Sequence, residues 1–284
     1  MESLTIPDFL DRYAQEIRHS HKSHYSIVSV LKSFGENAPA KPLAELTGPD
    51  MHRYIQTRLK AGIRPATVNR ELSVISAAIN HARHKWGVDM VNPTQRQRLR
   101  ASAPRLRYLD RKEAARLHRE AGALRDDLGD FVLLALNTGC RKTELLTLKW
   151  SDVNMDRRFL VLRPENTKAN RRRAIPLNDR ALQALRSRQH GNTSDWVFAK
   201  RNGERVKALD WLFRKAVRLA GLTDFRIHDL RHTFASWLVS EGVELVKVRD
   251  LLGHTSITMT ERYAHLMPNR LLDAVQVLDL FGES

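Results

Sequence analysis

The sequence predicts a mainly α-helical protein of two domains, with one small antiparallel β-sheet in the second. Three observations carry that expectation. Apolar residues recur at helical spacing through most of the 284 residues. An arginine-rich stretch with two prolines and no acid, "NPTQRQRLRASAPRLR", interrupts that pattern near residue 100. One segment only, "RRFLVLRP" followed by "RAIPLN", is β-rich on both sides of a polar turn.

Four helices account for the first ninety residues. Ile6, Phe9, Leu10, Tyr13 and Ile17 follow Thr5 as a candidate N-cap, with Pro7 in the first turn. A second helix runs through "HYSIVSVLKSF", and a third follows "LTGPDM", where Pro49 suits a helix start, and ends near Gly62. In the fourth, Val68, Leu72, Ile75, Ile79, Ala82 and Trp86 form one apolar stripe, and Gly87 can terminate it. Arg64, Thr67, Asn69 and Arg70 lie off that stripe near the start of this helix, where they could meet phosphates or bases or simply face solvent.

The basic stretch reads as a linker. Arg96, Arg98, Arg100, Arg105 and Arg107 on an extended segment suit a nucleic-acid backbone, since each can pair with phosphate; a solvated linker is the plainer alternative. Order resumes at "YLDRKEAARL", where Asp110 and Glu113 are spaced as a capping box. The hairpin comes next, with Lys168 near its tip; "DWVFA" can add a short strand, and helices continue to the end.

Composition narrows the partners. Lys and Arg total 48 against 32 Asp and Glu, a net charge of +16. Such a surplus implies a polyanion, most simply nucleic acid. No apolar run is long enough to span a bilayer, and the acidic, amphipathic N-terminus lacks a signal-peptide layout. A single cysteine, Cys140, excludes an internal disulfide and fits a cytoplasmic protein; beside helix formers it reads as a buried thiol rather than a nucleophile.

Four separated segments of the second domain carry unusual polar residues. "LNTGCRKTELLTLKW" holds Arg141 and, three places on, Glu144; "ENTKANRRRAIPL" holds Lys168, with Arg171, Arg172 and Arg173 as nearby rivals. "HDLRHTFASWL" holds His228, Arg231 and His232, and "LLGHTSITMTERYAH" holds His254 and Tyr263. Guanidiniums can clamp the oxygens of a phosphodiester as charge builds on them. Histidine can donate a hydrogen bond or take a proton near neutrality. A tyrosine is a capable nucleophile once a cation or base lowers its pKa from about 10. A lysine on a mobile hairpin can protonate the leaving oxygen. His228 and His232 also stand at a zinc-hydrolase spacing, but Asp229 replaces the usual glutamate and no third ligand is evident.

In these boxes the sequence resembles the tyrosine recombinase, or phage integrase, family, including its Xer-like members. "TGCRKTELLTLKW" resembles the first arginine box, "HDLRHTFASWL" the His-x-x-Arg-His box, and "LLGHTSITMTERYAH" the closing Gly-His box with the nucleophile. The resemblance implies that Arg141 and Arg231 bind the scissile phosphate and that Lys168 protonates the leaving 5′-hydroxyl. It makes His228 the proton acceptor for Tyr263, His254 a donor to a phosphate oxygen, and Tyr263 the residue joined to the 3′-phosphate. Glu144 and His232 become supporting residues.

The resemblance further implies a helical core-binding domain over residues 1–92, a linker over 93–107 and a catalytic domain over 108–284. The apolar tail "NRLLDAVQVLDLF" becomes an exchange helix that docks on a neighbouring subunit, with packing on its own subunit as the alternative. The partner is double-stranded DNA, bound by a homotetramer on paired sites, with accessory DNA-bending proteins possible and neither metal nor other cofactor required. With a first helix expected near residue 6, the extra N-terminal arm-binding domain of many phage integrases is not expected here. Two rival readings stay open: a type IB topoisomerase-like enzyme and a catalytically silent DNA-binding protein.

Overall fold

A computed structural model describes residues 4–18, 24–100, 105–166, 171–268, 275–276 and 278. The chain divides into two compact units, Met1–Pro104 and Arg105–Ser284. Among the described residues the fold is mainly helical with one three-stranded sheet, as the apolar spacing anticipates. No helix among them is long and apolar enough to cross a membrane.

The first unit packs α1 (Ile6–Glu16), α2 (His24–Asn37), α3 (Gly48–Lys60) and α4 (Pro65–Trp86) around Phe9, Phe34, Met51, Ile55, Leu72 and Ile75. Thr5 caps α1 by accepting the Asp8 amide, and Thr47 with Asp50 forms a capping box at α3. One carboxylate is buried in this core. Glu71 accepts the Tyr54 hydroxyl at 2.8 Å and two Arg58 N–H groups at 2.6 and 3.0 Å, so its charge stays paired.

The stretch expected to be a linker is partly absorbed by that unit. Asn69 and Leu99 exchange two hydrogen bonds of 2.8 Å, the amide side chain serving both backbone groups. Asn92 ties the preceding turn to Ser76 and Asn80 on α4. The second unit begins at Arg105.

At the centre of the second unit lies α6 (Asp126–Thr138), buried on nearly every side between α5 (Arg111–Leu124) and later helices. The capping box of Asp110 and Glu113 starts α5. After α6 come the short α7 (Lys142–Leu146), the sheet, α8 (Asp179–Gln189) and α9 (Asp210–Leu219). The chain continues through α10 (Ile227–Ser240), α11 (Leu245–Leu252) and the single-turn α12 (Thr258–Glu261). The sheet is antiparallel, in the order β1 (Val153–Asn154), β2 (Phe159–Leu162), β3 (Arg173–Pro176), with Leu160 opposite Ile175 and Leu162 opposite Arg173. Alternation turns Leu160, Leu162 and Ile175 into the core, and Arg173 shares their face.

"DWVFA" does not join this sheet. Its residues make two isolated bridges, Lys149 with Trp196 and Ala199 with Arg205, because Val197 and Phe198 turn inward and bond neighbouring loops. Lys168 lies outside the described residues, as does nearly all of the expected exchange helix.

The turn that ends α6 lets α10 pack closely. Gly139 caps α6 with φ 62°, and a Cβ there would stand 2.7 Å from Cε1 of Phe234 on α10. Glycine is therefore required both for the left-handed turn and for the approach of α10. Gly139→Ala is expected to destabilise the protein by about 3 kcal/mol in denaturant unfolding, the combined cost of positive φ and overpacking.

Candidate active site

Arg231 ties the second unit's helices together. It sits in the first half of α10 and is only 3% exposed. Its Nη1 donates to the Gly139 carbonyl at 2.8 Å and its Nη2 to the Leu252 carbonyl at 2.6 Å. Those carbonyls end α6 and α11, where the helix dipole is negative, so they hold a cation without a carboxylate. Burial, then the nearby Arg141, lowers the Arg231 pKa to about 9, which still leaves it charged at pH 7.

A second cluster surrounds Glu144, which is fully buried. Arg141, at the start of α7, gives its backbone amide to Oε2 at 2.8 Å and its Nη1 to Oε1 at 2.7 Å. Arg173 reaches Oε2 from β3 at 3.1 Å and also donates to the Leu252 carbonyl. One carboxylate thus anchors two guanidiniums while Arg231 stands close by, and positive charge is left over. Gly253, with φ 62°, makes room for this: a Cβ there would collide with the Arg173 guanidinium.

The histidines feel that surplus. His254 follows α11 and faces Arg231, Arg141, Arg262 and Arg173; desolvation and then these cations lower its pKa to about 3. Its Nδ1 lies 2.9 Å from the Thr260 hydroxyl. His228, on the exposed first turn of α10, has its pKa lowered by desolvation of its inner side, then by Arg231 and Arg141. One turn on, His232 is buried, and desolvation followed by His228 and Arg262 lowers its pKa to about 4. The two rings meet edge to face at 5.1 Å. All three imidazoles are neutral at pH 7.

Tyr263 is 1% exposed and packs with Phe234, Val239, Val248 and Leu252. Its hydroxyl lies 2.6 Å from Nδ1 of His232, so the imidazole in contact with the phenol is His232 and not His228. Burial raises the Tyr263 pKa to about 12 against the pull of Arg231 and Arg262. At neutral pH the phenol is therefore protonated.

The structure therefore brings Arg141, Glu144, His228, Arg231, His232, His254 and Tyr263 into one region from three distant boxes. The residues expected to bind DNA differ in their surroundings. Arg64, Thr67 and Arg70 are exposed on the first turns of α4, with Arg70 bonded to Ser26; Asn69 is half-buried and occupied by Leu99. Arg96, Arg98 and Arg100 are exposed. Arg105 and Arg107 pair instead with acids, Arg105 with Asp229 at 2.7 Å and with Asp224, and Arg107 with Glu113 at 2.7 Å. His265 is exposed and Cys140 buried, its thiol pushed up to about 11 by desolvation. Among the described residues no group of three His, Cys, Asp or Glu is placed to hold a metal.

Sequence reasoning underrates Arg173, which stands there only as a rival to Lys168, and passes over Arg262, Thr260 and Gly139. Strand alternation can find Arg173, because it shares the parity of Ile175. Nothing local marks Thr260.

Residues 107–270 match the phage integrase family. The chain belongs to that family. It is 35% identical to the integrase of Salmonella phage P22 over 236 residues, covering 77% of this chain and 59% of that protein. It is 31% identical to the integrase of Haemophilus phage HP1 over 294 residues, covering 97% and 82%. The family fold is also that of the Tn1549 transposon integrase solved with a circular intermediate DNA, at TM-score 0.79 and 18% identity over 95% of this chain and 98% of that one. A λ integrase tetramer bound to a Holliday junction matches at TM-score 0.75 and 24% identity, over 95% and 79%.

For this family member the buried histidines make stability pH-dependent. The unfolded chain takes up a proton near pH 6.5 and folded His232 only near 4, so stability is present above about 6.5 and is lost as pH falls through that window. Unfolding free energy is expected to drop by about 2 kcal/mol per such histidine from pH 7 to pH 5. Denaturant titrations at both pH values check this, and His232→Gln should flatten the slope.

Proposed function

We propose that this chain is a site-specific DNA recombinase that works through a tyrosyl–DNA intermediate. The observation that carries the reading is the convergence of Arg141, Arg231, His228, His254 and Tyr263 around a surplus of positive charge. A scissile phosphate supplies the complementary negative charge.

In the proposed reaction Tyr263 Oη attacks the phosphorus, and the bond to the 5′-oxygen breaks. A 3′-phosphotyrosyl link forms. The phenol proton passes to His228, and Lys168 protonates the leaving 5′-hydroxyl. Arg141, Arg231 and His254 bear on the non-bridging oxygens, where charge builds in the transition state. The link conserves the phosphodiester, so a 5′-hydroxyl from a partner strand can reverse the step and join new ends. Neither metal nor nucleotide is needed for that balance.

The buried phenol adds a requirement. With its hydroxyl on His232 and its ring in an apolar cluster, Tyr263 has to leave this position before it meets a phosphate. His232 then acts as the partner of the resting phenol, and His228, exposed one turn earlier, as its acceptor on DNA. Binding and activation are coupled in this way, which keeps the nucleophile from attacking water-exposed substrates at random.

The first unit, with Arg96, Arg98 and Arg100, is proposed to hold the duplex, residues 1–92 forming the core-binding domain and 108–284 the catalytic one. Four copies on paired sites, joined by the tail near residues 269–281, fit the same reading, as do action in the cytoplasm and help from DNA-bending proteins. P22 and HP1 integrases and the λ tetramer support the class of reaction.

Incubation with nicked duplex fragments should trap wild-type protein covalently, and sequencing the trapped DNA identifies the site. Tyr263→Phe should bind those fragments and give no adduct; an equal adduct from that variant ends the proposal. Affinity for the duplex should fall with salt at a log–log slope of about −7 if about eight phosphates are neutralised.

A further inference from the structure

Thr260, on α12, is completely buried. Its hydroxyl makes one hydrogen bond among the described residues, 2.9 Å to Nδ1 of His254. This is unlike the other buried or half-buried helical threonines. Thr138 and Thr233 each send the hydroxyl hydrogen to the carbonyl four residues earlier. Thr260 sits too near the start of a single-turn helix to do so, and among the described residues only His254 Nδ1 is within reach.

Direction follows from counting protons. A threonine hydroxyl has one hydrogen to give, and a neutral imidazole has one N–H and one bare nitrogen. If Nδ1 carried the proton and donated to Oγ1, the Thr260 hydrogen would be left without an acceptor in a site closed to water. An unsatisfied buried donor of that kind disfavours the arrangement roughly tenfold or more. If Thr260 donates to bare Nδ1, both groups are satisfied and the imidazole proton sits on Nε2.

We infer that Thr260 is a positioning residue that locks His254 in the Nε2–H tautomer, aiming a neutral N–H donor at the cationic site. The consequence for chemistry rests on the recombinase reading: His254 can then donate to a non-bridging phosphate oxygen without first being protonated. That matters because the surrounding Arg231, Arg141, Arg262 and Arg173 oppose its protonation. The opposite tautomer would turn a lone pair toward the phosphate and repel it.

The tautomer can be read directly, without DNA. In long-range proton–nitrogen NMR spectra of the full chain labelled in histidine nitrogen, near pH 7.5, His254 is assigned by its absence in His254→Gln. Wild type and Thr260→Ser should show a protonated Nε2 and a bare Nδ1. Thr260→Val, which keeps the shape and removes the donor, should show a mixture of tautomers or protonated Nδ1. On the duplex recovered by trapping, Thr260→Val should form adduct about tenfold more slowly at saturating DNA with unchanged affinity, and Thr260→Ser should stay within about threefold of wild type. Protonated Nδ1 in the wild type overturns the inference, even if Thr260→Val fails to fold. So does a valine variant whose tautomer and rate both match wild type. Should wild type show the Nε2–H form yet never trap DNA, the recombinase reading falls and the tautomer assignment stands.

Discussion

One guanidinium organises the second unit. Arg231 spans the ends of α6 and α11, donating to the last carbonyls of each. Those two helix ends lead straight into Arg141 and His254, so a single buried side chain sets the distance between residues from three separate boxes. A cation whose partners among the described residues are carbonyl dipoles keeps nearly all of its charge available. Pairing it with a carboxylate would give a tighter ion pair and a weaker anion site. Gly139 and Gly253 are the covalent conditions for this arrangement, since each turns the chain at a helix end where any side chain would strike α10 or Arg173.

Glu144 performs the complementary task. Burying a carboxylate is costly unless it is bonded, and here it accepts from Arg141 and Arg173 and from a backbone amide. It fixes the planes of two guanidiniums but offsets only one charge. Desolvation first, and then the remainder with Arg231 and Arg262, lowers the pKa values of the nearby imidazoles. A phosphate entering this field reverses the balance: it stabilises the cations and raises the basicity of the histidines around it. On the proposed mechanism this favours passage of the phenol proton to His228, while His254 donates as a neutral imidazole.

Tyr263 completes this picture as a buried side chain in the free protein. Its ring is part of the apolar cluster of α10 and α11, and its hydroxyl is bonded to a neutral histidine. Desolvation opposes ionisation more strongly than Arg231 and Arg262 favour it. The same residue is thus a core side chain in the free protein and, in the proposed reaction, a nucleophile on DNA. On the proposed mechanism, packing energy restrains the phenol until contacts with DNA replace it.

The sequence by itself determined the helical class, the antiparallel hairpin, the caps at Thr5 and Asp110, and the identity of most polar residues in the site. These are legible because they depend on short-range rules: helical and strand periods, capping spacings, and boxes whose residue types carry their own chemistry. Only the tertiary structure decided who touches whom. It set His232 rather than His228 against the phenol, drew Arg173 to Glu144, committed Arg105 and Arg107 to acids, and left "DWVFA" outside the sheet. Each of these turns on contacts that side-chain packing selects and local periodicity does not encode. A hydrogen bond of 2.6 Å selects one imidazole over another four residues away. Periodicity places both on the same helical face and cannot choose between them.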